Sequence, residues 1–257
     1  MLNCILRERK IIMKKLICLF LALVMALSLA ACGGGEGEVS GKVDPNQEAA
    51  PATVPAGKVE QPEETAAPEN ELSLGRMEGG IYTNEYVGFA CKLDSNWTFL
   101  SAKELEQIPS AVSDALSGSE LGDALADVQQ FTDMMAENAN DLTTMNVLYQ
   151  KLSIQERLAY AALNEDQVVD ATLEQSDAMV AAYAQAGIAV SAMKKVKVTF
   201  LGEERTAIHT TATIQDVPYY VLQFFDFDLG GYAVTTTVAS YVEDRTADLA
   251  ALFYGLE

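Results

Sequence analysis

The sequence has one histidine and few basic residues. It contains 17 Lys and Arg residues but 37 Asp and Glu residues, which gives a formal net charge of −20. A chain this poor in basic residues does not neutralise phosphates, which disfavours nucleic acid as a partner. One histidine and four cysteines also supply too few nitrogen and sulfur ligands for a multi-ligand zinc site. We therefore expect no cofactor and no nucleic-acid partner.

No apolar run is long enough to span a membrane. The longest one, residues 16–31, follows a stretch with five basic residues. It is shorter than the about 20 residues of a membrane-spanning helix and suits the apolar region of a signal peptide. The run ends in Leu29-Ala30-Ala31-Cys32, before three glycines. This pattern resembles the bacterial lipoprotein signal, in which a leucine and two small residues precede a lipidated cysteine.

The lipoprotein resemblance implies cleavage before Cys32 and a diacylglycerol thioether on its sulfur. The protein would then lie on the extracytoplasmic face of a cell membrane, anchored through this lipid. An ordinary secretory signal peptide, cleaved elsewhere, is the alternative. Cys91 would be the one thiol left in the folded part, which excludes an intramolecular disulfide. Its place in a strand-like run predicts a buried small hydrophobic residue.

The composition changes twice along the chain. Residues 32–80 hold five of the seven prolines and no aromatic residue. Such a segment cannot bury enough apolar surface to offset its conformational entropy. We predict a disordered acidic tether rich in Pro, Gly, Ala and Glu, between a signal peptide at 1–31 and one globular domain at 81–257.

Hydrophobic periodicity in the globular domain predicts both strands and helices. Short connections between the last four predicted strands permit only antiparallel hairpins. The strand at 218–228 is apolar on both faces, so both faces should be covered. The predicted strands are 81–83, 88–93, 143–152, 190–201, 204–215, 218–228 and 231–242, and the predicted helices are 119–138, 164–187 and one that begins at Asp244.

The predicted elements give an α+β fold, with helices on both faces of an antiparallel sheet in a three-layer α/β/α arrangement. The run Tyr82-x-Asn84-x-x-x-Gly88-Phe89, followed by Leu93 and Trp97, resembles the opening hairpin of PsbP-like domains. These domains include the photosystem II extrinsic protein and many bacterial lipoproteins. The usual proline before the tryptophan is replaced by residues 94–96. The resemblance implies a PsbP-like fold and a non-enzymatic binding or assembly role, and it transfers no functional residue.

Few residues of the sequence are candidates for catalysis or metal binding. His209 is the only imidazole, and its context favours a half-exposed strand residue over a catalytic base. Asp226 and Asp228 point to one face of a strand end and could contact a divalent cation, although strand-end aspartates before a Gly-Gly turn are more often turn residues. Nine carboxylates and no basic residue lie between 104 and 150. They form a solvated face or a docking surface for a basic protein or divalent cations.

Two functions from different classes remain. The first is a membrane-anchored surface lipoprotein that acts as a non-enzymatic binding or assembly module. The alternative is an extracytoplasmic hydrolase that uses His209 and nearby carboxylates such as Asp226. A single histidine makes the convergent catalytic set of a hydrolase hard to build, which favours the first function.

Overall fold

The computed structural model describes residues 72–108, 129–185 and 187–256. The predicted signal peptide, Cys32 and most of the predicted tether lie outside the described residues. Residues 109–128, which include the first half of the predicted helix 119–138, also lie outside them. None of the helices in the described ranges combines the length and the apolar character that crossing a membrane requires.

The described residues form eleven strands and five helices in two antiparallel sheets. The strands are β1 (Arg76–Glu78), β2 (Ile81–Asn84), β3 (Phe89–Lys92), β4 (Trp97–Phe99), β5 (Gln130–Asn138), β6 (Thr144–Lys151), β7 (Ile188–Phe200), β8 (Glu203–Ile214), β9 (Val217–Leu229), β10 (Tyr232–Tyr241) and β11 (Phe253–Gly255). The helices are α1 (Ala102–Leu105), α2 (Ile154–Ala161), α3 (Glu165–Glu174), α4 (Ser176–Gln185) and α5 (Thr246–Ala250).

The larger sheet has seven strands in the order β4-β5-β6-β10-β9-β8-β7, so β4 and β7 are its edges. Helices α2, α3 and α4 cover one face of it through a continuous apolar cluster. Tyr183 and Met179 of α4 are completely buried there, together with Tyr219 of β9. The antiparallel hairpins β7–β8–β9–β10, and the cover on both faces of β9, are as the sequence predicts.

The opposite face of the larger sheet packs against the smaller sheet, whose order is β1-β2-β3-β11. Aromatic rings fill the space between the two sheets. Phe200 stacks on Phe224 with ring centroids 4.1 Å apart, and Phe89 meets Phe253 edge-to-face at 5.6 Å. All four rings are at most 2% exposed, so this layer is a second core of the domain.

The predicted three-layer α/β/α fold with helices on both faces is wrong. The protein is mostly antiparallel β structure in two sheets, with few helices. Three helices cover one face of the large sheet, while the small sheet and the five-residue α5 cover the other. The error arose because two segments predicted to be helical are strands: residues 130–138 form β5, and the predicted terminal helix stops at Ala250 before β11.

A β-bulge in β5 explains why the prediction of a helix at 119–138 is wrong in the C-terminal half of that segment. The register between β5 and β6 shifts between Thr132 and Met134. Because of this extra residue, Phe131 and Met134 both pack toward the small sheet, although they are three positions apart. Apolar residues three apart on one face are the signature of a helix. The bulge therefore imitates helical periodicity within a strand.

The second predicted helix is present in two pieces. Asn164 and Gln167 form the predicted reciprocal N-terminal cap, since each side chain accepts a hydrogen bond from the backbone N–H of the other at 2.9 Å. The helix is interrupted at Gln175, where α3 ends, and α4 continues to Gln185. Gly187 follows with a φ of +79°, a conformation that favours glycine and ends the helical segment.

A buried polar cluster joins the two sheets. The carboxyl group of Asp133, 5% exposed on β5, accepts hydrogen bonds from the Tyr82 hydroxyl at 2.6 Å and from the Asn84 amide at 2.7 Å. The backbone N–H of Gly75 lies 3.0 and 3.1 Å from its two oxygens. Asn84 also donates to the Tyr149 hydroxyl at 2.8 Å. Two residues of the PsbP-like motif, Tyr82 and Asn84, thus have a structural role.

Candidate ligand-binding pocket

A pocket of about 360 Å³ lies beside edge strand β7, on the face of the large sheet that carries the small sheet. We call it the edge pocket. Its apolar part comes from Val196, Val198 and Leu222, and its polar part from charged residues and one histidine. The full lining is Lys194, Val196, Lys197, Val198, His209, Leu222, Asp244, Arg245, Thr246, Ala247 and Asp248.

The sheet register explains how this pocket forms. His209 of β8 pairs directly with Lys194 of β7 and with Leu222 of β9, which places the three side chains on one face. The chain leaves β10 at Tyr241 and crosses back over this face, so that α5 contacts β7 and β9. The pocket is the space that remains between the sheet edge and this returning segment.

His209 and Asp244 form a hydrogen-bonded pair in the pocket. Nε2 of His209 lies 2.8 Å from Oδ2 of Asp244, and the histidine is only 9% exposed. The other carboxyl oxygen of Asp244 accepts hydrogen bonds from the Thr246 hydroxyl at 2.7 Å and its N–H at 3.1 Å. Burial opposes the charge of Asp244, but the bonds from Thr246 and the proximity of His209 hold its pKa below the usual value. The sequence predicted a half-exposed histidine; the structure buries it against this carboxylate.

The second ring nitrogen of His209, Nδ1, is buried and has no hydrogen-bond partner in the described part of the chain. In that same part, Asp244 is the one hydrogen-bond partner of the ring, and the nearby Thr246 hydroxyl is used by Asp244. The described residues therefore place no serine, cysteine or threonine hydroxyl or thiol in hydrogen-bond contact with His209. Among these residues, the pair has no nucleophile of the kind that a catalytic triad requires.

Two charged groups of the edge pocket are already paired with residues outside it. Lys197 contacts Asp166 at 3.0 Å, and Arg245 contacts Asp141 at 2.5 Å. Within residues 72–108, 129–185 and 187–256, Lys194 and Asp248 form no ion pair. Both side chains belong to exposed residues. The pocket thus offers a solvent-exposed ammonium and a solvent-exposed carboxylate beside an apolar wall.

Asp226, one of the two predicted cation ligands, is not among the residues that line the pocket. Asp226 lies on β9, where its carboxyl group accepts a hydrogen bond from Arg205 at 2.9 Å. Arg205 also pairs with Glu165 at 2.5 Å. Asp228 lies on the same strand, and its side chain lies outside what the structure describes. Over the described ranges, no group of three or more His, Cys, Asp and Glu side chains is placed to hold a metal ion.

The acidic stretch 104–150 is not one continuous helix face. Glu104 caps α1 through Ser101, Asp133 is buried in the cluster between the sheets, and Asp141 pairs with Arg245. Four of the nine carboxylates lie in 109–128, outside the described residues. A basic protein or a divalent cation as a partner of this stretch stays a prediction.

Cys91 has the structural role that the sequence predicts. Its side chain is completely buried on β3, and its sulfur lies 3.6 Å from that of Met145. Burial raises the pKa of the Cys91 thiol to about 12. A thiol with that pKa is protonated at neutral pH and is a poor nucleophile.

Sequence reasoning missed Lys194, Asp244 and Asp248 as pocket residues. They are brought together by the sheet register and by the return of the chain after β10, neither of which leaves a local spacing pattern. One compositional signal was present. Lys194, Lys195 and Lys197 form a basic cluster in a strongly acidic chain.

Comparison with known proteins finds weak similarity to a solved structure. No family model matches the chain, and no curated protein matches it. Among solved structures, it is similar to the cyanobacterial PsbP protein CyanoP from Synechocystis sp. PCC 6803, with a TM-score of 0.38 and 9% sequence identity. That match covers 74% of this chain and 97% of CyanoP. At this level of similarity the match assigns neither a family nor an activity.

Proposed function

We propose that this protein is a lipid-anchored, extracytoplasmic binding module, without enzymatic activity, that holds a small ligand in the edge pocket. The observation that carries the proposal is the pocket itself. It is concave, apolar on one side, and equipped with a few charged groups that can orient a ligand. Its volume lies at the lower end of the range of about 300–1,000 Å³ typical of small-molecule sites.

The composition of the pocket favours binding over catalysis. An acid–base pair, His209–Asp244, is present, and it is the one observation in favour of the alternative hydrolase. However, Nδ1 is buried and Nε2 faces Asp244, so neither nitrogen of the imidazole is accessible to a substrate in this arrangement. We assign the pair a structural task, which is to fasten the segment before α5 onto β8.

The proposed lipid anchor on Cys32 and the tether would hold this pocket away from the membrane surface. A flexible coil of the tether's length has a root-mean-square reach of about 40 Å. The strong negative charge of the domain would also repel anionic lipid headgroups. The pocket would therefore meet solutes of the extracytoplasmic space rather than the bilayer.

Filling the pocket should abolish ligand capture. Val196→Trp adds an indole ring to the pocket wall, whereas Thr199→Trp adds the same ring to an exposed position of β7 outside the lining. The full-length proteins are purified in detergent, incubated with a small-molecule extract of the source cells, washed and released, and the released compounds are measured by mass spectrometry. We expect at least one compound to be enriched about tenfold or more by the wild type and by Thr199→Trp, and not by Val196→Trp.

Two outcomes would contradict the proposed function. One is equal enrichment by Val196→Trp and the wild type, which would place binding elsewhere. The other is that no compound is enriched by the wild type. Thermal melting of each variant verifies that the substituted proteins are folded.

A further inference from the structure

The edge pocket has an exposed charge of each sign, and the presence of both restricts the class of ligand that fits it. Lys194 lines it from β7 and Asp248 from the first turn of α5. Neither forms an ion pair among the residues that the structure describes. Both belong to exposed residues of the lining, so a ligand in the pocket can reach either charged group.

We propose that the ligand is a zwitterion with an aliphatic side chain, such as an aliphatic α-amino acid. Its carboxylate accepts hydrogen bonds from the Lys194 ammonium, and its ammonium donates to the Asp248 carboxylate. Its side chain packs on the apolar wall of Val196, Val198 and Leu222. This inference rests on the proposed function, since it names the class of ligand for the same pocket.

The other charged groups of the pocket support a ligand that is neutral overall. Lys197 and Arg245 are paired with Asp166 and Asp141, and Asp244 is hydrogen-bonded to His209, so binding need not break an existing contact. A purely anionic ligand would lie close to the Asp248 carboxylate, which has the same charge. A purely cationic ligand would lie close to the Lys194 ammonium, which also has the same charge. Like charges brought together in a pocket cost binding free energy, which selects against both.

Three probes of similar shape test this directly: L-leucine, 4-methylpentanoate and 3-methylbutylamine. The second lacks the ammonium group and the third lacks the carboxylate. Hydrogen bonds to charged groups are strong enough that loss of either should weaken binding about tenfold or more. Isothermal titration of the full-length protein in detergent should therefore rank L-leucine well above both analogues.

Two variants assign each charge to its partner. Lys194→Gln should weaken L-leucine binding about tenfold or more but should not weaken 3-methylbutylamine, since that amine has no carboxylate for Lys194. Asp248→Asn should weaken L-leucine equally but should not weaken 4-methylpentanoate. Lys195→Gln and Glu243→Gln, at neighbouring positions outside the lining, are the matched controls and should bind L-leucine as the wild type does.

The outcomes separate this inference from the proposed function. If either analogue binds as tightly as L-leucine, the zwitterion is wrong and pocket binding stands. The same holds if none of the three probes binds at millimolar concentration while Val196→Trp still abolishes enrichment from the extract. If Lys194→Gln and Asp248→Asn both bind L-leucine normally, the assignment of the two charges is overturned.

Discussion

Replacing Asp133 with alanine is expected to lower the free energy of unfolding by about 3–5 kcal/mol, because it leaves buried donors without their acceptor. The Tyr82 hydroxyl, the Asn84 amide and the Gly75 N–H all converge on this one carboxyl group. Burial and the neighbouring Asp133 raise the pKa of Tyr82 well above its usual value, so Tyr82 stays protonated and donates. Urea unfolding, followed by the fluorescence of Trp97, measures the change.

Two further substitutions control for the kind of group that is lost. Asp133→Asn keeps the shape and one acceptor oxygen but presents an amide N–H₂ to other donors, so we expect an intermediate loss of stability. Asp141→Ala removes a carboxylate of the same acidic stretch that forms one partly exposed ion pair, and should cost about 1 kcal/mol or less. Equal, small effects of Asp133→Ala and Asp141→Ala would contradict the structural role of the buried cluster.

Lipid on the mature N-terminus should depend entirely on Cys32, since its thiol is the one that the lipoprotein pattern places at the cleavage site. Mass spectrometry of the N-terminal peptide of membrane-extracted protein should find a chain that begins at Cys32 and carries a thioether-linked diacylglycerol. A buried acyl methylene contributes about 0.8 kcal/mol to membrane binding, so two acyl chains anchor the chain stably.

The variants for this second test differ only in which thiol is removed. Cys32→Ser should show no lipid-modified peptide at all, whereas Cys18→Ser, within the apolar run, should show the wild-type modification. A mature chain that begins elsewhere and carries no lipid would contradict the lipoprotein assignment. It would favour an ordinary secretory signal peptide instead.

The sequence predicted those parts of the fold that local patterns determine. The hairpins from β7 to β10 follow from short turns and alternating residues, and the cap at Asn164 follows from the residue three positions later. Prediction failed at β5, where a bulge at Asp133 gives a strand the apolar spacing of a helix. It failed again after Ala250, where pairing with β3 converts the predicted helix into β11.

The candidate pocket was beyond sequence reasoning for a related reason. Lys194 and Asp248 are far apart in the chain and line one pocket because the segment after β10 folds back over the sheet edge. Asp226, which the sequence offered as a candidate, is instead paired with Arg205 in the domain. A site that depends on strand register and on the return of the chain over the sheet leaves no local spacing pattern in the sequence.

Amide hydrogen exchange, measured by mass spectrometry with and without L-leucine at saturating concentration, tests the central claim most directly. If the edge pocket is the binding site, protection should increase in peptides that cover 194–198 and 244–248 and should be absent in Val196→Trp. Peptides of the small sheet that cover 76–92 serve as the internal reference and should not change. Protection confined to regions outside the pocket would contradict the account, and no protection at millimolar L-leucine would contradict the zwitterionic ligand.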